Sequence, residues 1–196
     1  MRLRQWLVSA FLFLISVVFL VYSKSLFTAK SGETAHSVAL PAPSECESLL
    51  LPNEEYYPYL KRYFQKAEKS IIGTIYLVKT SHHPENEPAA LLRELISASK
   101  RNVYVEILLE NSDDKFTRET NAAVAEMLRK AGVKVHLDSV RVATHAKTFV
   151  IDGRYCFLGS HNLTHAAMSK NAELSIFVDS PEIGKKITDF VRQIPQ

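Results

Sequence analysis

From residue 54 onward, apolar positions recur alternately at helical and at strand spacing. Glu54 to Lys69 places Tyr56, Tyr59, Leu60, Tyr63, Phe64 and Ala67 on one helical face, with Pro58 in the first turn. Ile71 to Val78 is a short apolar, β-branched run and predicts a buried strand. Pro88 to Ser99 predicts a helix with Leu91, Leu92, Leu95 and Ile96 on one side, and Val103 to Leu109 the next strand. A helix over Lys115 to Ala131 stops at Gly132, and Val133 to Leu137 follows as a strand. Lys147 to Ile151 and Arg154 to Leu158 predict a hairpin around Asp152-Gly153. Glu173 to Val178 is a further strand, and Pro181 to Ile194 a closing helix. This alternation predicts an α/β domain: a mixed, largely parallel β-sheet flanked by helices on both faces. There is no internal repeat, so the domain carries one copy of any site.

The N-terminal pattern is different. Trp6 to Tyr22 carries no charge in 17 residues. As a helix it spans roughly 25 Å, slightly under a bilayer core of about 30 Å. Arg2 and Arg4 precede it and Lys24 follows. The length of the run, and the poor cleavage site at Ser23-Lys24-Ser25, favour an uncleaved membrane anchor over residues 1–23 rather than a cleaved signal, which would release the protein. Charge bias leans toward a domain on the periplasmic or extracellular side, with a cytosol-facing organelle anchor as the alternative. Residues 24–44, rich in Ser, Thr, Ala and Pro, read as a flexible linker, and the domain is expected over 45–196.

Charge narrows the choice of partners. The chain has a formal net charge of +3. Arg2, Arg4, Lys24 and Lys30 precede any acidic residue, which leaves 20 basic against 21 acidic residues beyond them. The folded domain is therefore not globally basic, and a polyanion would need a local patch. Lys61-Arg62, Lys100-Arg101 and Arg129-Lys130 are candidates that read first as solvated helix faces. Two cysteines, Cys46 and Cys156, exclude a disulfide scaffold and a zinc-ligand pattern, and Cys156 reads as a core thiol.

The chemistry concentrates in Thr144 to Val178, where polar residues stand among strand formers. His145 and Lys147 are two apart and would share a strand face. An imidazole beside an ammonium suits an anionic phosphoryl group, one attacking and the other neutralising. Ser160 and Asn162 also share a face and can donate to phosphate oxygens. His161 and His165 read as rim residues, and His82-His83 lies in a polar loop between strand and helix. His161 and His82 are the candidates for substrate contact.

His145-x-Lys147-x4-Asp152, followed by Gly159-Ser160-x-Asn162 and Glu173, resembles the signature of the phospholipase D superfamily in order, spacing and residue type. The resemblance extends over the domain through the order of its elements. It implies a catalytic set of His145, Lys147, Asn162, Ser160 and Glu173, with Asp152 supporting the structure and no metal or other cofactor. It implies two copies of the motif per active site. A chain with one copy is therefore expected to be an isologous homodimer with the site across the two-fold axis. One His145 would form a phosphohistidine while the other protonates the leaving oxygen. Glu173 would hold the histidine ring by its other nitrogen.

Short single-motif members include the bacterial Nuc-type endonucleases and membrane-anchored phospholipase D-like proteins. The cysteine-rich insertion usual in the latter is missing here, so the chain is placed nearer the nucleases. The favoured expectation is an endonuclease on single-stranded DNA or RNA. A phospholipase D or cardiolipin hydrolase, acting on phospholipid near the anchor, is the alternative. A catalytically inactive binding protein would be expected to have lost motif residues, and all are present.

Overall fold

A computed structural model describes residues 48–81, 83 and 86–196. The predicted anchor (1–23) and linker (24–44), Cys46 and His82 all lie outside the described residues. Among the described residues no helix is long and apolar enough to cross a membrane.

The chain begins with β1 (Ser48–Pro52) and a single 3-10 turn (Asn53–Glu55), and continues into α1 (Tyr56–Lys66). Next come β2 (Ser70–Ile75), β3 (Val78–Lys79), α2 (Glu87–Lys100), β4 (Tyr104–Leu109), α3 (Lys115–Lys130) and β5 (Lys134–Leu137). The second half comprises β6 (Thr148–Ile151), β7 (Tyr155–Gly159), β8 (Leu163–Thr164), α4 (His165–Ser169), β9 (Leu174–Asp179) and α5 (Pro181–Gln193). Side-chain caps start the helices where the pattern does. Asn86, Asp114 and Ser180 accept from the N–H groups of Ala89, Thr117 and Ile183.

Seven strands form one sheet in the order β1-β9-β7-β6-β2-β4-β5, and β3 pairs with β8 in a second, two-stranded sheet. The main sheet is mixed, but the expectation that it is largely parallel is corrected. Only β2–β4 and β4–β5 pair in parallel, while β1–β9, β9–β7, β7–β6 and β6–β2 are antiparallel. Helical crossovers α2 and α3 enforce parallel pairing in the first half. The second half is built on a tight hairpin, which reverses the chain at each step.

A further departure involves side chains that capture backbone. The strand expected over 71–78 leaves the main sheet after Ile75. Asn121 of α3 donates to Tyr76 O at 2.8 Å and accepts from Val78 N–H at 3.0 Å, and Asn162 accepts from Leu77 N–H at 3.2 Å. These bonds turn the chain toward β8. The β6–β7 turn holds both Asp152 (φ 53°) and Gly153 (φ 73°) in the left-handed region, as a two-residue hairpin requires.

Helices cover both faces. On one, α5 packs Ile187 and Val191 over Ile72, Leu108, Val150 and Cys156. On the other, α1 brings Tyr59 and Phe64 against Phe157, Phe177 and Phe149, with ring centroids 5.0 to 6.1 Å apart. Phe149 and Val150, adjacent in β6, point to opposite faces, which is the alternation that anchors the strand between two layers. Burying each such side chain stabilises the domain by roughly 1.5–3 kcal/mol.

Candidate active site

Parallel β2 and β4 run toward the same sheet edge at which antiparallel β6 begins and β7 ends. Ligand sites in α/β sheets favour this edge, beyond the carboxyl ends of the parallel strands. His145 and Lys147 lie just before β6, Gly159 closes β7, Ser160 and Asn162 follow it, and Glu173 just precedes β9. The ladder joins them directly: Gly159 N–H donates to Lys147 O at 3.3 Å, and Ser160 N–H to Leu174 O at 3.1 Å. Gly159 leaves no room for a side chain, since a Cβ there would stand 2.4 Å from Ser175 Cα.

The His145 side chain is exposed, whereas Lys147 is only 6% exposed. Lys147 Nζ donates to His145 O at 2.6 Å and stands 5.1 Å from the Tyr76 ring centroid. The Tyr76 ring also packs against the His145 imidazole, at 4.8 Å and 59°. Burial pulls the Lys147 ammonium below the usual lysine range, while the Glu173 and Glu110 carboxylates act in the opposite direction. From its other side Lys147 borders an open cavity of about 400 Å³ shared with Lys186, Ile187 and Phe190 of α5.

Asn162 is oriented by its acceptor: Oδ1 takes Leu77 N–H, which leaves the two Nδ2 protons as donors at the site. Ser160 Oγ donates to Glu173 Oε2 and accepts from Leu174 N–H at 3.1 Å. Glu173 Oε1 also accepts from Asn171 at 2.9 Å, and its backbone is clamped by Asn53 in both directions. The Glu173 carboxylate thus engages Ser160 and Asn171 rather than the His145 ring.

Asp152 stands at the far end of β6. Its carboxylate accepts the N–H groups of Glu68, Lys69 (2.7 Å) and Ser70 (3.0 Å), which ties the hairpin turn to the entrance of β2. This carboxylate is consumed by backbone.

One expectation is corrected. His161 is not on the rim: it is fully buried, stacked on Tyr56 with centroids 4.3 Å apart. Its Nε2 donates to Asn53 O at 2.9 Å, so its Nδ1 accepts from Ser175 Oγ at 2.7 Å. With both ring nitrogens occupied, His161 braces the Ser160–Asn162 loop and does not reach substrate. Burial depresses its pKa, and the Asn53 bond and Glu173 oppose that shift. His165 is exposed and pairs with Glu87 at 2.8 Å. Tyr76, Glu110 and Asp138 were missed. Each reaches the site because a strand ends there, and the only signal was a polar residue at the end of an apolar run. Among the described residues no three His, Cys, Asp or Glu side chains converge as metal ligands would.

The family model described as "Cardiolipin synthase, PLD-like domain" matches residues 60–194. The chain belongs to the phospholipase D-like family. It is 27% identical over 168 residues to a phospholipase D of Rickettsia conorii, covering 85% of this chain and 77% of that one. The fold is that of Nuc, a phospholipase D family member from Salmonella typhimurium, with a TM-score of 0.65 at 21% identity. The match covers 76% of this chain and 94% of Nuc. NucT from Helicobacter pylori matches at a TM-score of 0.61 and 18% identity, over 76% of this chain and 96% of its own. The phosphodiesterase-type enzyme of this superfamily is therefore the supported class.

Proposed function

We propose that this phospholipase D-like protein is a metal-independent endonuclease that cleaves single-stranded DNA or RNA through a phosphohistidine on His145. The observation that carries the chemistry is the exposed imidazole of His145 beside a lysine pinned 2.6 Å from the same residue's carbonyl. One group is free to attack, and the other is fixed to receive charge. A protomer offers one such histidine. A second copy across a two-fold axis would supply the other, and the N-terminal span would tether the pair to a membrane.

In the first step a His145 nitrogen bonds to phosphorus, the P–O bond to the leaving alcohol breaks, and that oxygen takes a proton from the second His145. In the second step water attacks phosphorus, gives its proton back to that second histidine, and the P–N bond breaks. Lys147 and the Asn162 amide stabilise the charge that develops on the phosphoryl oxygens.

Nucleic acid is favoured because the motif resembles that of the Nuc-type endonucleases and the domain aligns along nearly the whole of Nuc and NucT. A phospholipid substrate is the second reading. It is favoured by Val140 and Val142, exposed just upstream of His145, by exposed Leu174 beside Glu173, and by the names of the Rickettsia relatives. The test follows release of fluorescent single-stranded DNA fragments, and of phosphatidic acid from cardiolipin vesicles, by the full chain in excess EDTA. DNA cleavage that disappears in His145→Asn supports the nuclease. Phosphatidic acid release alone transfers the function to lipid, and no histidine-dependent reaction on either substrate refutes both.

A further inference from the structure

Two acidic side chains outside the motif lie beneath the catalytic loop. Glu110 follows β4 and Asp138 follows β5, so parallel pairing of these strands (Leu109↔Leu137) delivers both carboxyls to the site's edge. They are 3% and 2% exposed. Their backbone is fixed: Asn121 of α3 donates to Glu110 O at 2.9 Å, and Asp138 N–H donates to Leu109 O at 3.1 Å. Asp138 Oδ1 accepts Asn111 N–H at 2.5 Å. Glu110 Oε2 accepts the N–H of Thr144, the residue before His145. The register of β4 and β5 sets the two buried carboxyls at neighbouring strand ends, and Asp138 is among the causes that raise the Glu110 carboxyl. Asp138 Oδ2 is buried and has no hydrogen-bond donor among the described residues. Two ionised carboxylates in contact inside a protein repel and are poorly solvated. One proton between them turns that repulsion into an O–H···O bond and satisfies the orphan oxygen.

We propose that Glu110 and Asp138 are a proton-sharing pair that positions the catalytic His145 through the amide of Thr144. The inference rests on the phosphodiesterase reading above and adds two positioning residues to it. Burial, then the contact with Asp138, pushes the Glu110 carboxyl up to about 7, with the negative charges of Asp138 and Asp113 adding to the shift and the Thr144 N–H opposing it. Just before β6, Lys147 is a cation whose field reaches Glu110. Below that value the pair keeps its proton and holds Thr144 in place. Above it, Glu110 ionises beside Asp138 and the seat of the His145 backbone loosens.

The linkage has a definite sign. An unfolded Glu110 titrates near the ordinary 4.5 and the folded one near 7, so the folded state binds the extra proton between those values. The resulting stability is complete below the lower value and is lost as pH rises through the higher one. Glu110→Gln keeps an oxygen for Thr144 N–H, donates an amide proton to Asp138, and does not titrate.

The experiment compares wild type, Glu110→Gln, Glu110→Ala and His145→Asn as full chains in detergent. It measures kcat and KM for bis(p-nitrophenyl) phosphate, and Tm, at intervals over roughly pH 5 to 9. In Glu110→Gln, Tm should gain on wild type as pH rises from 4.5 to 7 and then stay level. The alkaline fall in kcat should move up by about one pH unit or more in the same variant, with KM within about twofold. Glu110→Ala should lose about tenfold or more in kcat. A Tm difference that is flat with pH overturns the shared proton. A Tm difference that follows pH while the kcat profile stays at its wild-type position overturns positioning and leaves a structural pair. If wild type is no more active than His145→Asn, the phosphodiesterase reading itself has failed and the positioning role falls with it, while Tm still decides the shared proton.

Discussion

The two ends of β6 carry the two halves of one motif and treat their side chains in opposite ways. At the start, His145 is exposed and Lys147 is buried but, among the described residues, hydrogen-bonded only to the His145 carbonyl, with its charge facing Tyr76. At the other end, four residues of strand later, Asp152 gives its carboxylate to three successive backbone N–H groups. The reactive end keeps hydrogen-bonding capacity unused, whereas the structural end exhausts it. The spacing between Lys147 and Asp152 thus matches the four-residue strand that separates them.

Breaking the contrast should have its largest effect at the reactive end. His145→Asn is expected to lower kcat by at least roughly 10³-fold with Tm unchanged, measured with any phosphodiester the wild type cleaves. Lys147→Met, which keeps the length of the side chain, should cost about 10²–10³-fold in kcat, mostly without change in KM. An equal fall in Tm and activity in either variant would place these residues in the framework instead.

At the structural end the ranking reverses. Asp152→Ala should lose about 2–3 kcal/mol of stability, read from denaturant unfolding, while activity per folded molecule stays close to wild type. A loss of kcat at full stability would move Asp152 into the chemistry. Tyr76→Leu sharpens the comparison from between the two: it removes a ring face worth about 0.5–2 kcal/mol to a desolvated lysine. It should lower kcat modestly and leave Tm nearly unchanged.

The smallest expected effect concerns His161. Its folded pKa lies below the ordinary 6.5 because the ring is buried. The unfolded chain therefore takes up a proton first, and stability present above 6.5 is lost as pH falls below it. His161→Gln should flatten that acid-side loss in a Tm-against-pH series, and an unchanged slope would assign the loss to other groups.

Much of this site was legible because it is local. His145, Lys147, Asp152, Gly159, Ser160 and Asn162 lie on one hairpin and its flanks, where a turn dipeptide fixes the pairing; the shared strand face expected of His145 and Lys147 is not found, since both precede β6, one exposed and the other buried. The core helices were legible for the same reason, from their faces and their capping residues. What failed depended on distant partners. His161 looked like a rim residue because nothing near it in sequence announces that Asn53, Tyr56 and Ser175 will enclose it. Asn121 and Asn162 divert the chain after Ile75, and no propensity records that capture. The antiparallel majority arises because β1 and β9 return beside the hairpin, a long-range pairing that the strand pattern leaves open. Tyr76, Glu110 and Asp138 share a sheet edge only once β2, β4 and β5 are in register.

The most direct test of the central claim is a single-turnover reaction of the full chain with a radiolabelled phosphodiester, quenched in alkali and digested to peptides. Label should be retained on the peptide that contains His145, released by acid, and absent in His145→Asn. Normal turnover with no label on that peptide would contradict a phosphohistidine intermediate at His145.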